Sequence, residues 1–124
     1  MTRLEPCPDR PSCVSSQAHQ GKFHIEPFEL PPDQTEATWQ SLTQWISELP
    51  RVEVVQVDSH WAHFVFRTAL LRFADDVHLE RSEDPGRRID VRSCSRVGYW
   101  DMGTNRRRVE DLRKRLIQAG LLVS

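Results

Sequence analysis

Four consecutive segments in the middle of the chain alternate apolar and polar side chains, and this pattern constrains the fold more than any other feature. A period of two residues indicates β-strands, and the four segments are 52–57, 60–67, 73–80 and 88–95. Short turns such as Asp84-Pro85-Gly86 separate them, so neighbouring strands are expected to pair in antiparallel fashion. The middle of the chain therefore predicts an antiparallel sheet.

Two segments with helical spacing flank the predicted strands. Residues 33–49 place apolar side chains three and four residues apart after a capping Asp33, and Pro50 ends the segment. Residues 104–119 repeat this pattern with Thr104 at the cap. Each helix has one apolar stripe, so we expect both helices to cover one face of the sheet.

The first 32 residues hold six of the eight prolines, which predicts an extended arm because proline blocks helix and removes a donor. Residues 23–26 could form one short strand, and apolar side chains predict that the arm lies against the body. We therefore predict an α+β fold: a four- to five-stranded, mostly antiparallel sheet, two helices on one face and a Pro-rich N-terminal arm. Residues 1–124 form one domain, with the arm over 1–32 and a helix, four strands and a helix over 33–124.

Composition and charge exclude several functional classes. Seventeen Lys and Arg oppose eighteen Asp and Glu, for a net charge of −1, which argues against general nucleic-acid binding. No apolar run reaches the roughly 18–20 residues of a membrane span, and the N-terminus lacks the apolar core of a signal peptide. We expect a cytoplasmic protein without a membrane span. The sequence predicts no cofactor and leaves the oligomeric state open.

The segment 92–108, RSCSRVGYWDMGTNRRR, is the strongest candidate for a site. It holds five arginines, whose planar guanidinium groups suit carboxylates and phosphates. It also runs into a predicted helix start, where free N–H groups and the helix dipole favour an anion. Three arginines in the first helical turn oppose that dipole. This arrangement destabilises the helix unless a carboxylate or a ligand lies nearby. The sequence therefore suggests an anion pocket formed by Arg92, Arg96, Asn105 and Arg106.

Acidic side chains extend this candidate site. Asp75 and Asp76 are adjacent on a predicted strand, so they face opposite sides of the sheet and cannot form a carboxylate pair. Asp75 shares its face with apolar residues and needs a partner, for which an arginine of 92–108 is the natural choice. It is either half of a structural ion pair or a site residue tuned by burial. Asp101 and Asn105 likewise either cap the helix or contribute to the pocket.

Three cysteines and five histidines leave several chemistries open. The spacing C-x5-C-x5-H-x4-H over residues 7–24 superficially resembles a zinc quartet, but the cysteines are too far apart for an ordinary zinc knuckle. No metal is predicted. A disulfide between Cys7 and Cys13 is geometrically easy across the Pro-rich loop, and two ordinary loop cysteines are the alternative. A cysteine nucleophile needs a base beside it, which the sequence cannot place.

Two segments resemble one known family. The arm sequence PCPDRPSCVSSQA is similar to a Cys-Pro-x-x-Pro-x-Cys-Val-Ser-Ser/Thr signature. The sequence RSCSRVGYWDMGTNRRRVEDLR is similar to an Arg-Ser-x-Ser-Arg-x-Gly-x-x-Asp-x-Gly-x-Asn-Arg-x-Arg-Val signature, and FADDVHLE fits a Phe-x-Asp-Asp-Val element. Together they resemble the domain of unknown function 1499 family from about Pro6 to Leu116. The resemblance implies a small bacterial and plastid domain, often exported or membrane-tethered, with no assigned reaction.

The resemblance marks its signature positions as candidate ligand-binding residues. They are Cys7, Cys13, Ser15, Ser16, His24, Asp75, Asp76, Arg92, Ser95, Arg96, Asp101, Asn105 and Arg106. The two sharpest signatures are far apart in sequence, which suggests that they meet in space. We expect the arm to fold over the sheet face that carries Arg92, Arg96 and Asp76.

Three functions follow as hypotheses. The first is non-catalytic binding of a small anionic ligand or an acidic peptide through 92–108. The second is a hydrolase or a thiol or redox enzyme that uses Cys7, Cys13 or Cys94 with His24 and Asp76. The third is a structural interaction module, in which the polar segment braces the domain and binds no ligand. Whether the protein is an enzyme is left open.

Overall fold

The computed structural model describes residues 2–19, 21–98 and 100–123. Within them lie two helices, α1 (Thr35–Ser47) and α2 (Thr104–Gln118). The strands are β1 (Cys13–Ser15), β2 (Phe28–Glu29), β3 (Val52–Val57), β4 (Trp61–Arg67), β5 (Ala74–Arg81) and β6 (Arg88–Ser95). All strands join one antiparallel sheet, which confirms the predicted α+β class. The sheet has six strands in these residues, and the sequence predicted four to five.

The two additional strands belong to the Pro-rich arm. The sheet order is β1, β6, β5, β4, β3, and β2 also pairs with β6. β1 lies along the C-terminal half of β6, and β2 lies along its N-terminal half. The sequence did not predict them because strands of two or three residues are too short for a periodic pattern. The strand expected over 23–26 is wrong: a single bridge between His24 and Ser15 takes its place.

One core cluster joins both helices to the sheet. From the helices it takes Trp39, Leu42, Ile46, Val109, Leu112 and Leu116. From the central strands it takes Ala62, Phe64, Leu79, Ile89 and Val91. The strand register places these sheet residues on one face. We call it the core face, and the face formed by the alternate residues of the same strands is the outer face.

Helix α1 does not begin with the predicted cap. It starts after Gln34, which has a left-handed conformation with φ 58°, and no side chain caps the first turn. Asp33 is therefore wrong as a cap. Glu36, its expected reciprocal partner, pairs with the buried Arg81 of β5, and this tertiary contact fixes the first turn of the helix to the sheet.

Helix α2 begins after Gly103, where φ is 79°, a conformation that glycine adopts without a steric penalty. Thr104, the predicted cap, is the first helical residue and donates to the Asp101 carbonyl oxygen at 2.7 Å. The Asp101 carboxylate accepts from the backbone N–H groups of Gly103 and Asn105 at 2.8 and 2.9 Å. Asp101 therefore caps the helix. In the part of the chain that the structure describes, no helix has the length and apolarity of a membrane span.

Candidate functional site

Strand alternation divides the segment 92–108 between the two faces of the sheet. Its first residues belong to β6, where Ser93 and Ser95 lie on the core face. Arg92 and Cys94 lie on the outer face. The polar side chains of this segment therefore serve two separate environments.

The four residues suggested as one anion pocket do not come together. Arg92 and Arg96 both border a cavity on the outer face. Asn105 is fully buried and bonds to serines of the core face. Arg106 donates to the Lys22 carbonyl oxygen in the arm at 3.3 Å. The sheet itself separates the first two side chains from the buried amide.

Asn105 is the centre of a buried hydrogen-bond network. Its Nδ2 donates to Asp101 Oδ2 at 2.7 Å, Ser95 Oγ at 2.9 Å and the Ser12 carbonyl oxygen at 3.1 Å. Its Oδ1 accepts from Ser93 Oγ at 2.6 Å and from Arg108 Nη1 at 2.8 Å. Both ends of the amide are therefore occupied by the protein, and the network braces the arm, β6 and α2 against one another.

Asp75 on the core face is also paired internally. Its side chain is almost fully buried, and Oδ2 accepts from Arg108 Nη2 at 2.7 Å. This is an arginine of 92–108, the partner that its position on an apolar strand face predicted. A buried ion pair commits both charges to each other, so the geometry supports the structural interpretation of this carboxylate.

Ser15 and Ser16 are buried and hold the arm to its neighbours. Ser16 Oγ donates to Asp90 Oδ1 at 2.7 Å and accepts from the Val91 backbone N–H at 2.9 Å. Ser15 Oγ accepts from the Gln17 backbone N–H at 3.2 Å. These hydroxyl groups therefore satisfy groups of the protein itself.

The expected pairing of His24 with Asp76 is not found. His24 Nδ1 lies 2.9 Å from the Ala18 carbonyl oxygen within the arm. The partners of the Asp76 carboxylate are His63 and Arg96. An enzyme that uses His24 together with Asp76 has no support in this geometry.

Cys7 and Cys13 form a disulfide across the Pro-rich loop, with their Cα atoms 5.7 Å apart. This decides among the alternatives that the sequence left open, because neither sulfur is a free thiol. Cys94 is the free cysteine of the described residues and is buried. No group of three or more metal-binding side chains occurs in those residues.

A cluster of charged and aromatic side chains lines a cavity of about 380 Å³ on the outer face. Cross-strand pairs place three of its members in a row, because His63 lies opposite His78 and His78 lies opposite Arg92. We call the lining residues the outer-face cluster: Arg3, Glu5, Trp61, His63, Asp76, His78, Arg92 and Arg96.

The start of the arm lies beside this cluster. The backbone N–H of Arg3 donates to Glu80 Oε2 at 2.8 Å, and its guanidinium carbon lies 4.1 Å from the centre of the Trp61 ring. Arg92 Nη2 donates to the Pro6 carbonyl oxygen at 3.4 Å. The two signature segments therefore meet, and the cavity has walls from both the sheet and the arm.

Asp76 is the shared acceptor of the cluster. Its Oδ1 lies 2.7 Å from His63 Nε2, and its Oδ2 accepts from Arg96 Nε at 2.9 Å. Burial raises the pKa of Asp76, but the hydrogen bonds from Arg96 and His63 outweigh it and hold that pKa below its ordinary 3.8. The ionised carboxylate places a proton of His63 on Nε2, because a carboxylate can only accept.

His78 stacks on His63, with the ring centroids 4.1 Å apart. Burial, together with the neighbouring charges of His63 and Arg92, lowers the pKa of His78 to about 4. The ring is therefore neutral at pH 7. Its Nδ1 is buried and has no hydrogen-bond partner in the described part of the chain.

Arg92 is a partly buried cation without a carboxylate partner among the residues that the structure describes. Its Nε is buried and unpaired, and its Nη2 makes only the long hydrogen bond to Pro6. A buried donor without a partner destabilises a protein by about 1–3 kcal/mol. Arg92 and His78 are opposite each other in the register of β5 and β6, so two unmet polar atoms belong to neighbouring side chains.

Five members of this cluster were not among the residues predicted from the sequence: Arg3, Glu5, Trp61, His63 and His78. The available signal was the alternation of the second and third predicted strands, which set His63 with Trp61 and His78 with Asp76. The sequence did not reveal the register between these two strands. That register pairs His63 with His78.

A second cleft, of about 360 Å³, lies between residues 68–73 on one side and residues 96–98 and 100–103 on the other. Its large apolar side chains are all at least half exposed: Leu70, Leu71, Phe73, Val97, Trp100 and Met102. The acidic groups at this cleft, Asp75 and Asp101, are engaged by Arg108 and by the start of α2. Its surface is mainly apolar, which does not select an anion.

These features define a small α+β domain whose antiparallel sheet carries a histidine and arginine cluster on its outer face. The chain matches the family described as Protein of unknown function (DUF1499) over residues 3–116. The match spans nearly the whole chain, so the protein belongs to this family, as the signature residues predicted. Comparisons with curated proteins and with solved structures found no significant match.

Proposed function

We propose that the protein binds a small anion, a carboxylate or a phosphate group, at the outer-face cluster. The observation that carries the proposal is Arg92, whose Nε is buried without a partner beside the equally unpaired Nδ1 of His78. Neutral His78 with its proton on Nδ1 can donate to the same ligand. An anion that accepts from both groups would satisfy two buried polar atoms at once.

The charges around the cavity support this ligand class. Arg3, Arg92 and Arg96 contribute three cations, and Glu5 and Asp76 contribute two carboxylates. Asp76 is already neutralised by Arg96, so Arg92 is left as a cation that an anion can pair with. The cavity volume of about 380 Å³ lies near the lower end of the usual range for small-molecule sites, which favours a small ligand over an acidic peptide.

In this proposal both helices cover the core face. The core cluster, which joins α1 and α2 to Phe64 and Leu79, supports that arrangement. The outer face is then left to the arm and the ligand. The proposal also treats residues 1–124 as one domain with the arm over 1–32 packed on the body. The cytoplasmic location stays a prediction of the sequence, and the proposal does not depend on it.

A general-base role is the second candidate, and the contact between His63 and Asp76 favours it. When the Nε2 proton of His63 is held by the carboxylate, the neutral form of the ring offers Nδ1 to accept a proton from a bound substrate or water. Hydrolysis of p-nitrophenyl phosphate or p-nitrophenyl acetate tests this role. His63→Gln should abolish any such activity, and a variant that retains full activity would contradict it.

Isothermal titration calorimetry with inorganic phosphate and with citrate tests anion binding. Removal of a charge-assisted hydrogen bond costs about 1.5–3 kcal/mol, so Arg92→Ala should weaken binding about 10- to 100-fold. Arg88→Ala is the matched control. Arg88 lies on the same strand and pairs with Asp90, outside the cavity.

The control variants separate binding from folding. The Arg96 side chain is 48% exposed, so Arg96→Ala should leave the free energy of unfolding nearly unchanged while it weakens anion binding. If Arg96→Ala unfolds the protein, this arginine is structural. Equal affinities for Arg92→Ala and Arg88→Ala, or no binding by the native protein, would overturn the proposal.

A further inference from the structure

We propose that the three cysteines form a thiol–disulfide exchange site, in which the disulfide moves from Cys7–Cys13 to Cys13–Cys94. Cys94 is a buried free thiol. In the register of β1 and β6 it lies directly opposite Cys13, which is already half of a disulfide. One sulfur therefore has two possible partners, one in the arm and one in the sheet.

The hydrogen-bond pattern of β1 and β6 suits a cross-strand disulfide at this position. The Ser95 backbone N–H donates to the Ser12 carbonyl oxygen at 3.0 Å, so these two residues form a hydrogen-bonded pair. The adjacent pair, Cys13 and Cys94, is then a non-hydrogen-bonded one, because the two types alternate along an antiparallel ladder. The Cα atoms of such a pair lie about 4.5 Å apart, within the range of about 4.4–6.8 Å found for disulfides.

Directly opposite residues also project to the same side of a sheet, so both side chains lie on the outer face. The Arg10 guanidinium reaches this point from the arm. Its Nη2 donates to the Ser95 carbonyl oxygen at 2.6 Å and lies 3.9 Å from Cys94 Sγ. A cation is thus held beside the sulfur whose thiolate is the attacking species in exchange.

The exchange balances within the chain. Cys94 loses its proton, and the thiolate attacks Cys13 Sγ. The bond between Cys94 and Cys13 forms as the bond between Cys13 and Cys7 breaks. Cys7 leaves as a thiolate and takes up a proton, so the step consumes neither oxidant nor reductant.

Exchange would free the start of the arm. The native disulfide ties Cys7 to β1, and the residues just before it contribute Arg3 and Glu5 to the outer-face cluster. A disulfide between Cys13 and Cys94 would keep β1 fastened to β6 but release Cys7. Release of the arm would open the anion site at the outer-face cluster, and this consequence rests on the function proposed above. The disulfide exchange itself does not rest on it.

Alkylation with iodoacetamide followed by disulfide mapping tests the exchange in the oxidised, folded, full-length protein. We expect alkylated Cys7 to accumulate together with a Cys13–Cys94 disulfide, because released Cys7 is the more accessible thiol. In Cys94→Ser, the Cys7–Cys13 disulfide should persist and Cys7 should stay unlabelled. In Cys7→Ser, oxidised glutathione should drive formation of the Cys13–Cys94 disulfide.

Labelling confined to Cys94 with the Cys7–Cys13 disulfide intact would overturn the proposal. Two reduced cysteines in Cys7→Ser after treatment with oxidised glutathione would do the same. Calorimetry with inorganic phosphate is a separate measurement. A protein that exchanges its disulfide but binds no phosphate would retain the exchange site and lose only its link to anion binding.

Discussion

Replacement of Asn105 by alanine is expected to lower the free energy of unfolding by about 3 kcal/mol. The fully buried amide makes two hydrogen bonds to the charged groups of Asp101 and Arg108, worth about 1.5 kcal/mol each. Three bonds to neutral groups add at most about 1 kcal/mol each. Some neighbours keep a second partner, since the Ser12 carbonyl oxygen still accepts from the Ser95 backbone N–H. We therefore take the expected loss of stability as about half of the summed hydrogen-bond contributions.

Urea unfolding followed by tryptophan fluorescence measures this loss, because Trp39 lies in the core. For a slope of about 1.5 kcal/mol per molar urea, the midpoint should fall by about 2 M. Gln118→Ala is the matched control, because it removes an exposed amide from the same helix and should change stability by less than about 0.5 kcal/mol. Asn105→Asp preserves the volume but sets a second carboxylate beside Asp101, so it should destabilise the protein at pH 7 at least as much as alanine does.

Equal stabilities of Asn105→Ala and Gln118→Ala would refute the reasoning. The buried network would then not brace the arm against α2. The structural interpretation of Asp101 and Ser95 would fail with it, and both residues would return as candidates for a ligand site.

Two further predictions concern the outer face and a tight turn. An NMR titration should give His78 a midpoint near pH 4, because burial and the charges of His63 and Arg92 disfavour its protonation; a midpoint at its ordinary 6.5 would contradict the described burial. The unfolded chain takes up this proton near pH 6.5 and the folded protein only near pH 4, so stability should decrease as pH falls through that interval, and His78→Gln should flatten that part of the profile. Gly86→Ala should destabilise the protein by about 1–2 kcal/mol in urea unfolding, because φ is +71° and a Cβ would lie 2.6 Å from Arg81 Nη1. Gly21→Ala is the control, because a Cβ at Gly21 meets open space. Equal effects of the two substitutions on the free energy of unfolding would refute the argument.

The central strands were predictable because each alternates against a core on one face. The predicted 88–95 coincides with β6, and the bounds of β4 and β5 differ from the predictions by one residue. The same alternation had already set Ser95 and Arg92 on opposite faces. The candidate list nevertheless combined them, because the family signature runs through both faces and a signature does not distinguish a brace from a site.

The composition of the outer-face cluster could not be read from the sequence because it depends on tertiary register. His63 and His78 meet through the alignment of the β4–β5 hairpin, and Arg3 arrives through contacts with Glu80 and Trp61. Local patterns report periodicity but not which strands become neighbours. The left-handed start of α1 at Gln34 was mispredicted because Asp33 offered a local capping pattern, whereas its expected partner Glu36 pairs with Arg81 of β5.

The two loops that carry Leu70 and Trp100 keep large apolar side chains in water in the folded protein, at 88% and 67% exposure. Polarity-sensitive dyes such as ANS bind exposed hydrophobic surface, so they should fluoresce with the native protein before any heating. A dye-based melting screen would then begin from a bright baseline, and intrinsic tryptophan emission is the better reporter. The same surface should retain the folded protein on a phenyl matrix at high ammonium sulfate, which offers a purification step.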